Sequence, residues 1–322
     1  MKLPLQNENW LYLYNPRIIG RKWWFRGEIT LFGVKFWTKR QKNMKRKPII
    51  ALIYDFDGTL SPGNMQEFGF IQAVGQTPAE FWTKSDNIAI GQDASNVLAY
   101  MKLMFDEAKK NNIPLRRKEF KEFGKHIELY EGVREWFKII NEYGEAHGVI
   151  IEHYINSSGL KEIIEGSPIA DEFKHIFAGS FIYDENGEAE WPGIAVDYTA
   201  KTQFLFKISK GIFSSRDNKK VNESIADDKK RIPFSHMIYF GDGDTDVPCM
   251  KIVNMFGGHS IAVFDPDNEK KLAQTRKLKR QGRVKFITPA IYTKDSRTCR
   301  IVCSIIDKIK ADWELEFLSK YQ

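Results

Sequence analysis

The chain has 322 residues, 42% hydrophobic and 28% charged, the balance of an ordinary globular chain with length for one large or two modest domains. It contains no apolar run of the ~18 residues that a membrane-spanning helix needs, and its three cysteines, Cys249, Cys299 and Cys303, form neither a disulfide framework nor a zinc-ligand spacing. The formal charge of +7 would suggest a nucleic-acid or membrane partner, but residues 1–43 hold nine Lys/Arg against two acids, so residues 44–322 balance at 40 against 40 and no nucleic-acid partner is expected for the body.

Residues 1–43 are therefore a basic extension, and an aromatic one. Trp10, Trp23, Trp24 and Trp37 are half of the chain's eight tryptophans, and Arg21-Lys22-Trp23-Trp24-Phe25-Arg26 interleaves cations with rings. Such a stretch could stack on single-stranded nucleic acid or lie at a lipid interface. It could equally be an arm packed on the body, or sequence upstream of a start at Met44. No run of small residues follows an apolar stretch, so no secretory signal is read. Together with unpaired cysteines this makes the cytoplasm the expected location.

Ile49–Tyr54 is a short apolar run that ends in Asp-Phe-Asp-Gly, the pattern of a buried parallel strand with an active loop at its C-terminal edge. Residues 61–148 carry helical spacing and no convincing strand. Asn96–Phe105 is one helix, and Val133, Trp136, Phe137 and Ile140 mark the apolar stripe of another. Val149–Asn156 is the next strand, followed by Ser157-Ser158-Gly159 and a helix. Phe181–Glu188 runs from a strand into a turn, hence a hairpin. Ala200–Lys210 is helical, and 211–235 is a polar loop with a short helix. Met237–Phe240 is another buried strand, followed by Gly241-Asp242-Gly243-Asp244-Thr245-Asp246. Ile261–Phe264 and Val284–Ile287 supply later strands, and a helix runs from Arg297 to the end. Asp265, Asp267 and the Lys/Arg-rich stretch 270–285 are expected to be a loop and a solvated helix face. Alternating strands and helices predict an α/β doubly wound parallel sheet. Residues 44–60 and 149–322 form its core, and 61–148 an inserted α-helical domain.

Two strand ends carry acid clusters, Asp55-x-Asp57-Gly58-Thr59 and Gly241-Asp242-Gly243-x-x-Asp246. Ligands of open parallel sheets bind at the C-terminal ends of strands. If these strands are neighbours, the carboxylates converge, and unpaired carboxylates repel unless a cation joins them. Oxygen-only ligation suits magnesium, which keeps waters and a substrate phosphate in its shell. A calcium loop is excluded, because the twelfth position counted from Asp55 is Gln66 where a glutamate is needed. A phosphoryl group beside such a cation lies next to a carboxylate able to attack it, Asp55. A second aspartate two residues on, Asp57, can protonate the leaving oxygen. Ser157 offers a hydroxyl, the N–H groups of Ser158 and Gly159 an anion site at a helix start, and Lys201 a cation. The six histidines form no motif, and His153 is expected to be a satisfied core residue.

The order of these four segments resembles the haloacid dehalogenase superfamily, a Rossmannoid fold. The residues that carry the resemblance are Asp55-Phe56-Asp57-Gly58-Thr59-Leu60, Ser157-Ser158-Gly159, Lys201 and Gly241-Asp242-Gly243-Asp244-Thr245-Asp246, within roughly residues 48 to 290. The resemblance implies that Asp55 is nucleophile and magnesium ligand, and that Asp57 is acid and base, binding the metal through its backbone carbonyl. It implies that Thr59 supports the loop, Ser157 and Lys201 hold the phosphoryl group, Asp242 binds magnesium and Asp246 orients the metal shell. The insertion resembles the helical cap of the phosphoserine phosphatase-like subfamily. That subfamily usually has Ser at the position of Gly58, and a substrate-binding Glu where this chain reads Ser61-Pro62-Gly63-Asn64-Met65-Gln66. Asp57 sets the chain apart from the dehalogenases, and Phe56 and the lack of spans from the pumping ATPases. The implied activity is Mg2+-dependent hydrolysis of a small phosphorylated metabolite. Three alternatives stand beside it: a phosphotransferase on the same fold, a non-catalytic binding module on that fold, which would be expected to carry a broken motif where none is broken here, and a nucleic-acid or membrane binder that uses the basic N-terminal arm. The sequence does not address the oligomeric state.

Overall fold

The computed structural model describes residues 47–320 except 215, 227 and 228; the basic extension at 1–43 lies outside the described residues. In chain order the elements are β1 (Ile49–Tyr54), α1 (Phe70–Ala73), α2 (Pro78–Gln92), α3 (Asn96–Lys110), α4 (Arg117–Gly124), α5 (Val133–Ala146), β2 (Ile150–Leu160), α6 (Lys161–Ile164), β3 (His175–Tyr183), β4 (Ala189–Ile194), α7 (Thr202–Lys210), α8 (Asn218–Asn222), β5 (Met237–Gly241), α9 (Val247–Met255), β6 (His259–Phe264), α10 (Glu269–Arg280), β7 (Phe286–Pro289) and α11 (Arg297–Lys320). The seven strands lie in the order β4-β3-β2-β1-β5-β6-β7. All pairs are parallel except β3 with β4. The order reverses at β1, so the fold is the expected doubly wound α/β core, and its switch point is where a ligand crevice forms.

The period of two along β1 shows why both faces are covered. Ile50, Leu52 and Tyr54 enter one apolar cluster with Trp136 and Phe137 of α5 and Val302 and Ile306 of α11. Ala51 and Ile53 enter the other with Phe204 and Leu205 of α7 and Met250 and Val253 of α9. A strand buried on both sides reads as an unbroken apolar run. Within the first cluster the polar atoms are satisfied in a chain. Trp136 Nε1–H donates to Tyr54 Oη at 2.9 Å, Tyr54 O–H to His153 Nδ1 at 3.0 Å, and His153 Nε2–H to Asn141 Oδ1 at 3.1 Å. Burial pushes the His153 imidazolium down to about 3, so the ring is neutral and structural, as expected.

β2 continues to Leu160, beyond the expected Asn156, and β3 starts at His175, well before Phe181. The missed part of β3 is buried on both sides and includes Ala178, Gly179 and Ser180, which neither alternate nor favour strands. The expected basic helix is α10, which ends at Arg280.

The helical insertion divides by what its helices bury. α5 lies on the sheet against β2 and α11, because its stripe of Val133, Trp136, Phe137 and Ile140 is buried there. Helices α3 and α4 instead meet the C-terminal end of β2 and the elements that follow it. Tyr100 of α3 donates to the Ser158 carbonyl at 2.7 Å. The Ala189 N–H of β4 donates to the Leu115 carbonyl at 2.8 Å, and Arg117 of α4 reaches the buried Glu162 of α6 at 3.1 Å. α4 and α6 touch backbone to backbone, since a Cβ at Gly124 would lie 2.0 Å from the Ile163 carbonyl oxygen and one at Gly166 2.0 Å from that of Lys121. Gly166→Ala must therefore force the pair apart and is expected to cost about 1–3 kcal/mol, read as a lower denaturant midpoint. An unchanged midpoint would show that this contact is not needed. Among the described residues no helix is long and apolar enough to cross a membrane.

Candidate active site

Three neighbouring strand ends build the site. Tyr54 is in register with Ile155 on one side and Phe240 on the other, so Asp55 just after β1 and Asp242 just after β5 lie at the same sheet edge as Ser157 of β2. The Asp55 N–H still donates to the Phe240 carbonyl at 2.9 Å, which fixes its Cα in the ladder. The chain then turns tightly: the N–H groups of Thr59, Leu60 and Ser61 all point at the Phe56 carbonyl, at 3.2, 2.9 and 3.2 Å. Gly58 takes φ 71° in this turn, a left-handed conformation that favours glycine. The turn brings Asp57 back beside Asp55, where the Met65 N–H donates to its Oδ1 at 2.9 Å.

Lys201 ties the two acid clusters together. It is wholly buried, with Nζ 3.0 Å from Asp55 Oδ2 and 2.8 Å from Asp246 Oδ1. Asp55 Oδ1 accepts the Phe56 N–H at 2.8 Å. Asp246 Oδ1 also accepts the Tyr239 hydroxyl at 2.7 Å, whereas its Oδ2 is buried with no donor. A Cβ at Gly241 would stand 2.3 Å from that Oδ2, which explains the glycine before Asp242. Asp242 Oδ2 is paired with Lys271 Nζ at 2.7 Å.

One oxygen from each of Asp55, Asp242 and Asp246 lies within 4.8 Å of the others. This is an oxygen-only set able to hold a divalent cation. The charges ask for one, since four carboxyl groups face two lysines. Burial, reinforced by the charge of Asp246 against the pull of Lys201, pushes the Asp55 carboxyl up to about 8. Burial and then the Asp55 charge push Asp57 well above the usual carboxylate range. Asp242 is raised by burial, with Lys271 opposing. Burial works against the ammonium of Lys201, but Asp246 and Asp55 outweigh it and raise it.

Asp55, Asp57, Ser157, Ser158 and Asp242 line a cavity of about 390 Å³, the size of a small-metabolite site. Its lining also includes Asn64, Glu67, Tyr130, Asn268 and Lys271. Ser157 Oγ accepts the Gly159 N–H at 3.0 Å. Thr59 is buried beneath the turn, its carbonyl accepting the Tyr292 hydroxyl at 2.6 Å. The expectation that Ser158 and Gly159 open a helix is corrected. β2 carries them as extended residues, and α6 begins only at Lys161 and is four residues long. Gly159 matters through its lack of a side chain, because a Cβ there would lie 2.0 Å from Met65 Cε.

Sequence reasoning missed Lys271, read as part of a solvated face, and Tyr239, read only as a strand residue. It also missed Glu67 on the cavity wall, whose Oε1 accepts from Trp82 Nε1 at 2.7 Å and Asn64 Nδ2 at 2.6 Å. Tyr239 carried no signal beyond lying two residues before Gly241.

A family model described as haloacid dehalogenase-like hydrolase matches residues 52–251. An uncharacterized protein of Borreliella burgdorferi is 29% identical over 286 residues, 79% of this chain and 95% of that one. Among solved structures, a probable phosphoserine phosphatase from Vibrio cholerae in unliganded form aligns with a TM-score of 0.52 at 13% identity, over 86% of this chain and 68% of that chain, a likeness of fold.

Proposed function

This chain belongs to the haloacid dehalogenase-like hydrolase family, and from that premise we propose that it is a magnesium-dependent phosphomonoesterase that acts on a small phosphorylated metabolite through a phosphorylated Asp55. The observation that carries the reading is the buried Lys201, held between Asp55 and Asp246 at 3.0 and 2.8 Å, with Asp55 and Asp57 lining one cavity.

The residues present fit a hard cation: oxygen donors alone, excess negative charge, and an Asp246 oxygen with no donor. Asp55, Asp242 and Asp246 would hold it, joined by the Asp57 backbone carbonyl, and when bound it would neutralise the carboxylates and the phosphoryl oxygens that face them. Ser157 and Lys201 hold the phosphoryl group against Asp55, whose orientation is fixed by the Phe56 N–H and by Lys201. The Asp55 carboxylate attacks phosphorus, and the bond from phosphorus to the ester oxygen breaks with its electron pair on that oxygen. Asp57 has kept its proton because of its raised pKa and gives it to the leaving oxygen through the oxygen not held by Met65. Asp57 then takes a proton from water as that water attacks phosphorus, the bond to Asp55 breaks, and inorganic phosphate leaves. In this reading α1–α4 act as the cap, and Tyr100 and Met65 seat it on the phosphate side of the site, keeping bulk water out.

A panel of small phosphomonoesters tests the proposal. Hydrolysis of at least one is expected, lost on chelation with EDTA and restored by magnesium. A panel with no hydrolysed member, or a rate untouched by thorough chelation, would reject it.

A further inference from the structure

Lys271 stands where local rules disfavour a lysine. It lies in the first turn of α10, where its N–H donates to Oδ1 of the N-cap residue Asn268 at 3.1 Å. The positive end of the helix dipole repels a cation there. Lys270 shares that turn and points to solvent, and the helix has Glu269 at its start and Lys277, Lys279 and Arg280 in its last turn. What offsets the misplacement is Asp242, whose Oδ2 lies 2.7 Å from Lys271 Nζ at the cavity wall. The same oxygen leans over Gly58, so closely that a Cβ there would be 2.4 Å away. Any side chain at 58 would therefore push the Asp242 carboxylate from its present place beside the lysine. Asp242 is also one of the three carboxylates of the cation cluster. One ammonium group and one divalent cation are thus drawn to the same carboxylate.

We propose that Lys271 is a built-in counter-cation of this site: it neutralises Asp242 when no ion is bound, opposes entry of the divalent cation, and sets the cation affinity below what three carboxylates alone would give. The inference rests on the cation reading of the Asp cluster. Its physical basis is Coulomb repulsion between an ammonium and a dication sharing a partly buried carboxylate, where solvent screening is weak. Lys271 acts through Asp242 and is in this sense a positioning residue.

The test is a calorimetric titration of the full chain with magnesium chloride, using wild type, Lys271→Met, Lys271→Arg and the neighbouring surface variant Lys270→Ala. Lys271→Met keeps the apolar stem and is expected to bind the ion about tenfold tighter. Lys271→Arg and Lys270→Ala should stay near wild type. Thermal melts give a second reading. In EDTA, Lys271→Met should melt below wild type because Asp242 loses its partner, and magnesium should raise its melting temperature by more. Equal or weaker binding by Lys271→Met, with wild type binding normally, would overturn the counter-cation role and leave the cation site standing. No binding by wild type would overturn both.

Discussion

Asp55→Asn is expected to lower kcat by on the order of 10⁴-fold or more, because an amide is a poor nucleophile and a weak ligand for a hard cation. The same variant carries a stability signature with a definite sign. In the ion-free protein the Asp55 carboxyl is pushed up to about 8 by burial and by Asp246, whereas an unfolded aspartate titrates near ~3.9. Between these values the native state holds a proton that the unfolded chain has released. Wild-type stability therefore falls as pH rises through the window. Asparagine has no such proton. With EDTA present, Asp55→Asn should gain in melting temperature relative to wild type between about pH 5 and about pH 8. Magnesium should raise the melting temperature of wild type far more than that of the variant. An offset between the two proteins that is the same at both pH values would contradict the buried-carboxylate account, and wild-type turnover in the variant would reject Asp55 as nucleophile.

Asp57→Asn is expected to lower kcat/KM, which reports the first step, by about 10²–10⁴-fold with alkyl phosphates and much less with p-nitrophenyl phosphate, whose leaving group needs little protonation. The asymmetry follows from geometry. Met65 holds one oxygen of Asp57, and burial beside Asp55 pushes its carboxyl well above the usual carboxylate range, as the proposed proton donor requires. Removing it should slow the first step for poor leaving groups and the attack of water for all of them. With p-nitrophenyl phosphate the phosphorylated enzyme should then accumulate. Equal losses of kcat/KM across leaving groups would assign Asp57 another role.

Much of the core was legible because its signals are local. The buried run Ile49–Tyr54 and the run Met237–Phe240 each end in acids, and their neighbourhood in the sheet places Asp55 beside Asp242. Lys201 was legible only through the order of the segments, since nothing near it says that its ammonium lies between Asp55 and Asp246. The end of β2 was misjudged because Ser157-Ser158-Gly159 has the composition of a helix start, while here the backbone stays extended as Gly159 passes Met65. Lys271 was hidden by its own helix: surrounded by Lys270, Arg276 and Lys277, it has the sequence context of a solvated face, and only the tertiary placement of α10 beside Asp242 separates it from them. The division of the insertion was likewise invisible to periodicity, because α5 and α3 both carry an apolar stripe and differ only in what covers it. Gly58 shows the converse: a residue that looked like a departure from the subfamily has a reason once Asp242 is seen 2.4 Å from where its Cβ would be.

The claim on which the rest depends is that phosphorus becomes covalently attached to one carboxylate at the end of β1. Asp57→Asn mixed with p-nitrophenyl phosphate and magnesium, quenched in acid and reduced with borohydride, should yield a peptide in which residue 55 has become homoserine, and the conversion should vanish when EDTA replaces magnesium. Conversion at another residue, or full turnover with no trapped acyl phosphate in either wild type or variant, would contradict it.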